Sequence, residues 1–418
     1  MYKTTSKDTV RQAEETPEAR SIIEEVLRKG AQKMLQRAIE VEVAEYILTH
    51  AGLTDEASGR RLVVRNGQGY ARQIQTGLGP IEVRRPLVHD RRKGKKFTSR
   101  ILPPYMRRVP GIEALIPLLY LKGVSTNDLP EALRDILGES TAGISASTIV
   151  RLKEIWGAEY EKWQGRDLRG KRYVYFWADG VYFNIRLTEE RPCLLVIVGA
   201  LADGRKELVA IHDGERESRM SWVEVLRDLK RRGLEKAPLL ATGDGALGFW
   251  AALEEVYPKM REQRCWVHKT ANILDKMPKK VQPGAKTLIH EMYMAETKAE
   301  ALEAYEEFVG RYGAKYPKAV KCLVKDKDVL FTFYDFPAEH WVHIRTTNVI
   351  ESLFGTVKHR QRQTKGNGSR KAMLGMVYKL SREAEKHWRK INAYGLLGKV
   401  LTGVRFVDGV EMRTTAVA

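Results

Sequence analysis

Residues 341–362 read WVHIRTTNVIESLFGTVKHRQR and have the pattern of one helix that begins behind a polar cap. Residues 346–348 offer side-chain oxygens to the unpaired amide groups at the start of such a helix. The apolar residues recur at helical spacing and are Val349, Ile350, Leu353, Phe354 and Val357. Glu351 falls off this stripe, and the helical repeat places it on one exposed face with Lys358 and Arg362.

Glu351 allows two interpretations. A carboxylate beside cations on an exposed helix face suits a site that binds a metal ion and phosphate together. Asn348 and Glu351 also have the spacing of a capping box, in which the glutamate only holds the start of the helix. The segment alone favours the capping box, so a catalytic role needs further carboxylates elsewhere in the chain.

Length and composition bound the class of protein. At 418 residues the chain exceeds one ordinary domain, and two or three domains are expected. Its content of 43% hydrophobic and 30% charged residues is typical of a soluble globular protein. The longest apolar run, residues 193–202, is too short to cross a bilayer, and no signal-peptide pattern opens the chain. Three cysteines in so long a chain favour a reducing compartment, so a cytoplasmic location is expected.

The charge points to a polyanionic partner. The formal net charge is +19 and the isoelectric point is near 9.6. Lysine and arginine bind phosphates with release of counterions, which makes nucleic acid the simplest partner. A membrane surface is disfavoured because no long basic amphipathic helix with an aromatic face is evident.

The N-terminal region, residues 1–110, combines a helical pattern over residues 18–50 with a predicted β-hairpin around residues 77–80. The exit of the hairpin is strongly basic: its cations include Arg84, Arg85, Arg91, Arg92, Lys93, Lys95 and Lys96. A run of charge is often a solvated loop. Given the net charge of the whole chain, contacts to the DNA backbone are the preferred interpretation.

Residues 111–168 have the pattern of three helices, the third beginning at about residue 145. In a helix–turn–helix this third helix would enter the major groove, with Arg151 on its exposed side. Three consecutive helices also occur in proteins that do not bind DNA, so the pattern alone does not decide.

From residue 169 the chain becomes rich in strands. The segment YVYFWAD is predicted to be a buried strand that ends in Asp179. Further strands and a helix lead to a short buried strand, residues 238–242, and then to Asp244 and another helix. Strands followed by alternating helix and strand predict a mixed α/β sheet.

Asp179 and Asp244 occupy equivalent positions, because each follows an apolar strand and precedes a glycine. If the two strands are neighbours, both carboxylates emerge at one edge of the sheet, and with Glu351 they offer oxygen ligands to Mg²⁺. An aspartate before glycine is also ordinary turn chemistry. The interval to Glu351 is 107 residues (351 − 244), too long for a loop, and residues 268–340 have helical patterns. A helical insertion is therefore expected before the third acid.

Several long motifs resemble the Mutator-type transposases of bacterial insertion sequences, whose catalytic core is ribonuclease H-like. The motifs are FWADGVYFNIR, ESRMSWVEVLRDLKRRGL, ATGDGALGFWAAL, QRCWVHKTANIL and IRTTNVIESLFGTVKHR, with RNGQGYARQIQTGLGPIEVRRP, ILPPYMRR and LKGVSTNDLPEAL nearer the N-terminus. The resemblance covers nearly the whole chain. It implies a metal-binding triad of Asp179, Asp244 and Glu351, which favours the catalytic interpretation of Glu351 over the capping box.

The resemblance also implies an activity and partners. The expected reaction is cleavage at transposon ends that depends on Mg²⁺, with Mn²⁺ as a substitute, followed by attack of a 3′-hydroxyl on target DNA. The expected partners are double-stranded DNA and a second copy of the chain in a dimeric synaptic complex, associated with the bacterial nucleoid. The predicted architecture adds a ribonuclease H-like core over residues 169–267 and 341–418, interrupted by an all-helical insertion over residues 268–340.

Two more residues are candidates for the active site. Cys265 and His268 have the spacing of half a zinc site, but no second pair of ligands stands nearby. Cys265 is therefore expected to be buried, with His268 near the acids. Arg345, one turn before Glu351, is the second candidate.

The sequence after Glu351 is basic, and its cations include Lys358, Arg360, Arg362 and Lys365. They continue the helix of Glu351, so we expect them to bind DNA close to the cleaved bond, although a solvated tail is the alternative. Two rival functions stay open: a metal-dependent DNA nuclease of the same fold, and a sequence-specific DNA-binding regulator without catalysis.

Overall fold

The computed structural model describes residues 17–55, 58–106, 146–184, 191–214, 216–245, 247–363 and 369–412, with isolated positions between 117 and 132. The chain forms two compact units, Met1–Thr148 and Ile149–Ala418. The second unit thus begins before residue 169, where the sequence analysis placed the start of the core. The reason lies in a helix, Ala146–Gln164, whose Tyr160 hydroxyl donates to the backbone oxygen of Ile211 at 2.9 Å.

In the first unit a long helix packs on a hairpin. Helix α1 spans Pro17–Thr49, and strands β1 (Val63–Thr76) and β2 (Gly79–Asp90) pair antiparallel. The predicted hairpin is confirmed, but its turn is shorter than the predicted 77–80, because Gly79 and Pro80 already pair with β1. The core between them consists of Ile39, Ile74, Ile81, Val83 and Leu102. The apolar residues near the start of α1, such as Ile22 and Val26, are exposed.

The first two helices predicted in the region 111–168 lie outside the described residues. The third predicted helix corresponds to the helix Ala146–Gln164, here called α2.

Within the described part of the second unit, five strands form a mixed sheet. The strands are β3 (Tyr173–Tyr182), β4 (Cys193–Leu201), β5 (Lys206–Gly214), β6 (Leu240–Gly243) and β7 (Arg261–Arg264). Their order is β5-β4-β3-β6-β7; β3, β4 and β5 are antiparallel neighbours, whereas β6 and β7 continue the sheet in parallel with β3. The predicted mixed α/β sheet is confirmed.

Two helices, α3 (Arg219–Arg231) and α4 (Leu247–Val256), cover one face of this sheet. Helix α3 begins behind Ser218, whose hydroxyl oxygen accepts a hydrogen bond from the Ser221 N–H at 3.2 Å. Its apolar side, which includes Trp222, packs into the same core as the residues of α4 and the sheet. Burial on both faces explains why the central strands read as continuous apolar runs.

The region between β7 and residue 341, predicted to be a helical insertion, consists mainly of helices. Its helices are α5 (Trp266–Leu274), α6 (Gln282–Met294), α7 (Lys298–Tyr312), α8 (Pro317–Val324) and α9 (Lys327–Leu330). A capping box between Thr297 and Glu300 sets the start of α7. The buried ammonium group of Lys269 in α5 pairs with the carboxylate of Asp326, which lies between α8 and α9, and so ties the insertion together.

The end of the insertion returns to the sheet through turns at Thr332–Asp335 and Ala338–His340 and the short helix α10 (Trp341–Ile344). Three side chains of the sheet bond to this segment: the Tyr175 hydroxyl with His340 Nδ1 at 2.7 Å, Trp177 Nε1 to the His343 oxygen at 2.8 Å, and Thr242 Oγ1 to the Ile344 oxygen at 2.6 Å. The segment before Glu351 is therefore fixed on the sheet.

The last part of the chain adds α11 (Asn348–Gln363), α12 (Arg370–Glu385), a 3-10 turn at Tyr394–Leu396, α13 (Leu397–Leu401) and a small hairpin of β8 (Phe406–Val407) and β9 (Val410–Glu411). Helix α11 packs on β3 and β4. None of the helices in the described ranges has both the length and the apolar character that crossing a membrane requires.

Candidate active site

The sheet brings Asp179 and Asp244 together. Strands β3 and β6 are parallel neighbours, and the last residue pair of their register is Ala178 with Gly243. The next residues along the two strands are the two aspartates, so they emerge side by side. One detail of the prediction is wrong: β3 does not end at Asp179 but continues to Tyr182, because β4 still pairs with it there.

The backbone of Asp244 is held from two sides. Its carbonyl oxygen accepts hydrogen bonds from Trp250 Nε1 at 2.8 Å and from Arg264 Nη1 at 2.7 Å. The preceding Gly243 packs closely on the same indole, since a β-carbon at this position would lie 3.1 Å from Trp250. These contacts fix where the Asp244 side chain leaves the sheet.

Helix α11 supplies Glu351. Four residues of its predicted apolar stripe, Ile350, Leu353, Phe354 and Val357, are buried, whereas Val349 is half-buried. The hydroxyl of Thr347, just before the helix, lies 3.2 Å from both Glu351 Oε1 and Cys265 Sγ. The hydrogen bonds of the described residues do not include a capping box between Asn348 and Glu351, the alternative interpretation of this glutamate.

His268 lies among the acids. Its Nε2 atom is 3.8 Å from Glu351 Oε1. The adjacent Cys265 thiol, supported by the charges of Asp179 and Asp244, raises the pKa of His268 to about 9, although burial opposes this increase. The raised pKa favours the protonated imidazole, whose positive charge offsets part of the negative charge of the acids.

Asp179 is the most enclosed acid of the three, with 8% of its surface exposed. Burial raises its pKa to about 6; the carboxylates of Asp244 and Glu351 add to the increase, whereas His268 and the Gly180 N–H oppose it. The charges of both other acids thus act on Asp179. Three carboxylates crowded at the edge of a sheet suit a hard divalent cation, which prefers oxygen ligands.

Among the described residues, only Cys265, His268 and Glu351 form a group of three metal-binding side chains whose ligand atoms lie within 4.8 Å of one another; Asp179, Asp244 and Glu351 do not come that close together. Cys265 is buried, as expected, and the N–H of Thr347 donates to its sulfur at 3.3 Å. The thiol thereby links the start of α5 to the start of α11. This contact explains the Cys-x-x-His spacing without a zinc ion: the cysteine positions Thr347, and the histidine faces the acids.

Arg345, the other candidate, is directed elsewhere. Its Nη1 atom donates to the backbone oxygen of Tyr293 at 2.5 Å, and its guanidinium group lies over the Tyr293 ring. The side chain anchors helix α6 of the insertion to the segment before Glu351. Only its backbone is tied to the site, through a hydrogen bond from the Trp266 N–H to the Arg345 oxygen.

The cations predicted to bind DNA differ in exposure. Those exposed to solvent are Arg84, Arg91, Lys93, Lys95, Lys96, Arg151, Lys358 and Arg362, and Arg85 is half-buried. Arg92 is committed to an ion pair with Asp90 at 2.7 Å and to the hydroxyl of Tyr46. Lys365 lies outside the described residues.

The burial of Arg360 contradicts the prediction that this residue binds DNA. It is only 1% exposed, because it continues the buried stripe of α11 and faces the protein interior. Its neighbours Lys358 and Arg362 share the exposed face with Gly355, as the helical repeat predicted.

Comparison with known proteins decides the family. A family model described as "Transposase, Mutator family" matches residues 1–391 of the chain. The chain belongs to the Mutator family of transposases. It is 53% identical over 295 residues to the transposase for insertion sequence element IS6120 of Mycolicibacterium smegmatis, which is 71% of this chain and 91% of that protein. It is 50% identical over 294 residues to the transposase for insertion sequence element IST2 of Acidithiobacillus ferrooxidans, 69% of this chain and 97% of the relative.

A more distant relative extends the match further along the chain. The transposase for insertion sequence element ISRM5 of Rhizobium meliloti is 27% identical over 370 residues, covering 88% of this chain and 90% of its own length. The similarity implied by the sequence motifs is confirmed at the level of the family.

Proposed function

We propose that this protein is a DNA transposase that binds the terminal inverted repeats of its element and catalyses DNA cleavage and strand transfer with Mg²⁺. The observation that carries the proposal is the parallel pairing of β3 and β6, which places Asp179 and Asp244 side by side, with Glu351 near enough for its charge to contribute to the raised pKa of Asp179. The strand order β5-β4-β3-β6-β7, with its parallel and antiparallel halves, supports a ribonuclease H-like core.

In the proposed site Asp179, Asp244 and Glu351 hold the divalent ions, Mg²⁺ or Mn²⁺ in its place. Bound ions would activate water or a 3′-hydroxyl and stabilise the leaving oxygen of the phosphodiester, so no covalent intermediate on the protein is needed. Asp179 is held rigidly by the strand, with its Oδ1 atom accepting the Gly180 N–H at 2.9 Å. His268 keeps a positive charge beside Glu351 and favours the ionised form of the acids.

The charge of the protein supports a DNA substrate. Lys358 and Arg362 lie on the exposed face of the helix that carries Glu351, where a phosphate backbone entering the site would meet them. The cations that follow the hairpin in the first unit provide a second contact region. The proposal includes two copies of the chain that form a dimer and pair two transposon ends. This dimer acts near the nucleoid.

The experiment uses the purified full chain with Mg²⁺ and a labelled duplex that carries the terminal inverted repeat of the element. A transposase produces nicks at the end of the repeat and joins the new 3′ end to a supercoiled plasmid. Cleavage without joined product would identify a nuclease of the same fold instead. Specific binding without either product, unchanged by substitution of Asp244, would identify a regulator.

A further inference from the structure

The hairpin of the first unit covers one face of helix α1. On that face, Gln32 Nε2 donates to the Glu82 backbone oxygen and Gln36 Oε1 accepts the Arg84 N–H, both at 2.9 Å. Ile39 adds its side chain to the core between the helix and the strands. These contacts fix which side of α1 faces the hairpin.

The opposite face of α1 carries a seam of mostly apolar residues. From residue 23 to residue 48 they follow one another at alternating steps of four and three, which is the spacing of the d and a positions in a coiled coil. All of them are exposed: Ile23, Leu27, Gly30, Met34, Arg37, Val41, Ala44 and Leu48. The large residues at position a are between 41% and 76% exposed. A heptad repeat of this length is typical of a helix that pairs with another helix, and we call this surface the α1 seam.

Gly30 supports a partner helix on the α1 seam. Glycine weakens the middle of a helix, because it has more backbone freedom to lose on folding than alanine has. A β-carbon at Gly30 would meet no neighbouring atom within 4 Å, so the contacts of the described chain do not account for the missing side chain. A helix packed on the seam would account for it, since the residues at the contact set how closely two helices approach.

The order of large and small residues fits a second copy of α1 that runs antiparallel. With Met34 beside the partner's Arg37 at the centre, every layer takes one residue from position a and one from position d. The layers are then Met34 with Arg37, Gly30 with Val41, Leu27 with Ala44, and Ile23 with Leu48. Each small residue faces a large one, and Arg37 can lay its aliphatic part over Met34 with its charge in water. A parallel pair would place two Gly30 residues together, which leaves a void, and would bring two Arg37 side chains into contact.

The charges beside the seam select this antiparallel register. Lys33 and Glu40 each directly precede a position a of the seam, so they flank it on the same side. In the register above, Lys33 lies across from the partner's Glu40, and two-fold symmetry forms this pair twice. A shift of one heptad in either direction would place Lys33 against Lys33 or Glu40 against Glu40. On the other flank Glu24 comes near the partner's Glu45; both are exposed, so salt screens this repulsion.

We propose that α1 is a dimerisation helix, whose seam pairs with the α1 seam of a second copy of the chain in an antiparallel coiled coil with two-fold symmetry. The inference rests on the proposed function for the purpose of this dimer, and it names the surface that forms it. The seam is complementary to itself in both size and charge, which identifies a second copy as the partner.

The test measures the dimer dissociation constant of the purified full chain by sedimentation equilibrium, without DNA or metal. The unaltered protein is expected to be a dimer. Met34→Glu should raise the dissociation constant about 100-fold or more, because each dimer would bury two charged side chains in place of two apolar ones. Ile22→Glu is the matched control: it also puts a charge on an exposed apolar residue of α1, but outside the seam, so the dimer should be unaffected. Both variants should keep the helix content of the unaltered protein in circular dichroism.

Charge exchange tests the register. Lys33→Glu and Glu40→Lys should each raise the dissociation constant about tenfold, since each turns two attractive pairs into repulsive ones. The double variant restores both pairs with their signs exchanged and should dimerise like the unaltered protein. In a parallel pair these two residues do not face each other. A double variant as weak as the single ones would therefore overturn the inference.

Failure of this inference and failure of the proposed function give different results. Asp244→Asn should dimerise like the unaltered protein and cleave no DNA. If the unaltered chain dimerises through the seam but leaves the terminal repeat uncleaved, the proposed function fails and the interface stands. If the chain is a monomer, or if Met34→Glu dimerises normally, while DNA is still cleaved and joined, the interface is wrong and the catalytic proposal stands.

Discussion

The buried ion group of the insertion gives a quantitative prediction. Asp326 is 7% exposed, and its carboxylate contacts the ammonium group of Lys269 and lies 3.7 Å from Arg264 Nε. Lys269 also donates to the Cys322 backbone oxygen at 2.9 Å. Asp326→Asn keeps the size of the side chain but leaves two buried cations without their anion. Breaking a buried ion pair in this way costs about 3–5 kcal/mol, so the free energy of unfolding should fall by that amount.

Urea denaturation of the full chain, followed by circular dichroism, measures this change. Asp328→Asn is the matched control, because Asp328 is exposed and two residues away; its effect should stay within about 0.5 kcal/mol. Replacing the pair together, Lys269→Met with Asp326→Leu, should recover part of the loss, since only Arg264 then lacks its anion. A loss below about 1 kcal/mol for Asp326→Asn would refute the claim that this carboxylate holds two desolvated cations.

Three further outcomes are expected. Burial lowers the pKa of His340 to about 4, below its ordinary value of 6.5, so the unfolded chain binds the proton first and stability is lost as the pH falls between these values. Urea denaturation should show on the order of 2 kcal/mol lost by about pH 5, and His340→Gln should lack this part of the pH dependence. Lys358→Ala and Arg362→Ala should each lower the salt dependence of DNA binding by about one phosphate contact, in filter-binding titrations against salt. Arg360→Met should instead lower the melting temperature, because Arg360 is buried.

Several features of the fold followed from local sequence signals. Asp179 and Asp244 each end an apolar run at a glycine, and neighbouring parallel strands bring such positions together without any long-range information. The helices of the insertion could also be predicted from the sequence, since signals such as the Thr297 cap with Glu300 mark where a helix begins. The distance from Asp244 to Glu351 along the chain then required the insertion.

Other features depend on tertiary contacts that no local pattern carries. Glu217 precedes the Ser218 cap of α3, and only the packing of that loop places its carboxyl group against Gly180, next to Asp179 in the strand. Arg345 bonds to Tyr293, 52 residues earlier, which spacing alone does not indicate. The burial of Arg360 could have been predicted, because this residue continues the helical repeat of Ile350, Leu353 and Val357. The expectation that it binds DNA relied on its charge instead of its place in this repeat.

The most direct measurement is the position of a bound metal ion. Crystals of the protein soaked with Mn²⁺ should give an anomalous difference peak between the carboxylates of Asp179, Asp244 and Glu351, at about 2.0–2.2 Å from their nearest oxygens. A peak held by Cys265 and His268 instead, or acids that stay apart with no ion between them at saturating Mn²⁺, would contradict the proposed metal centre.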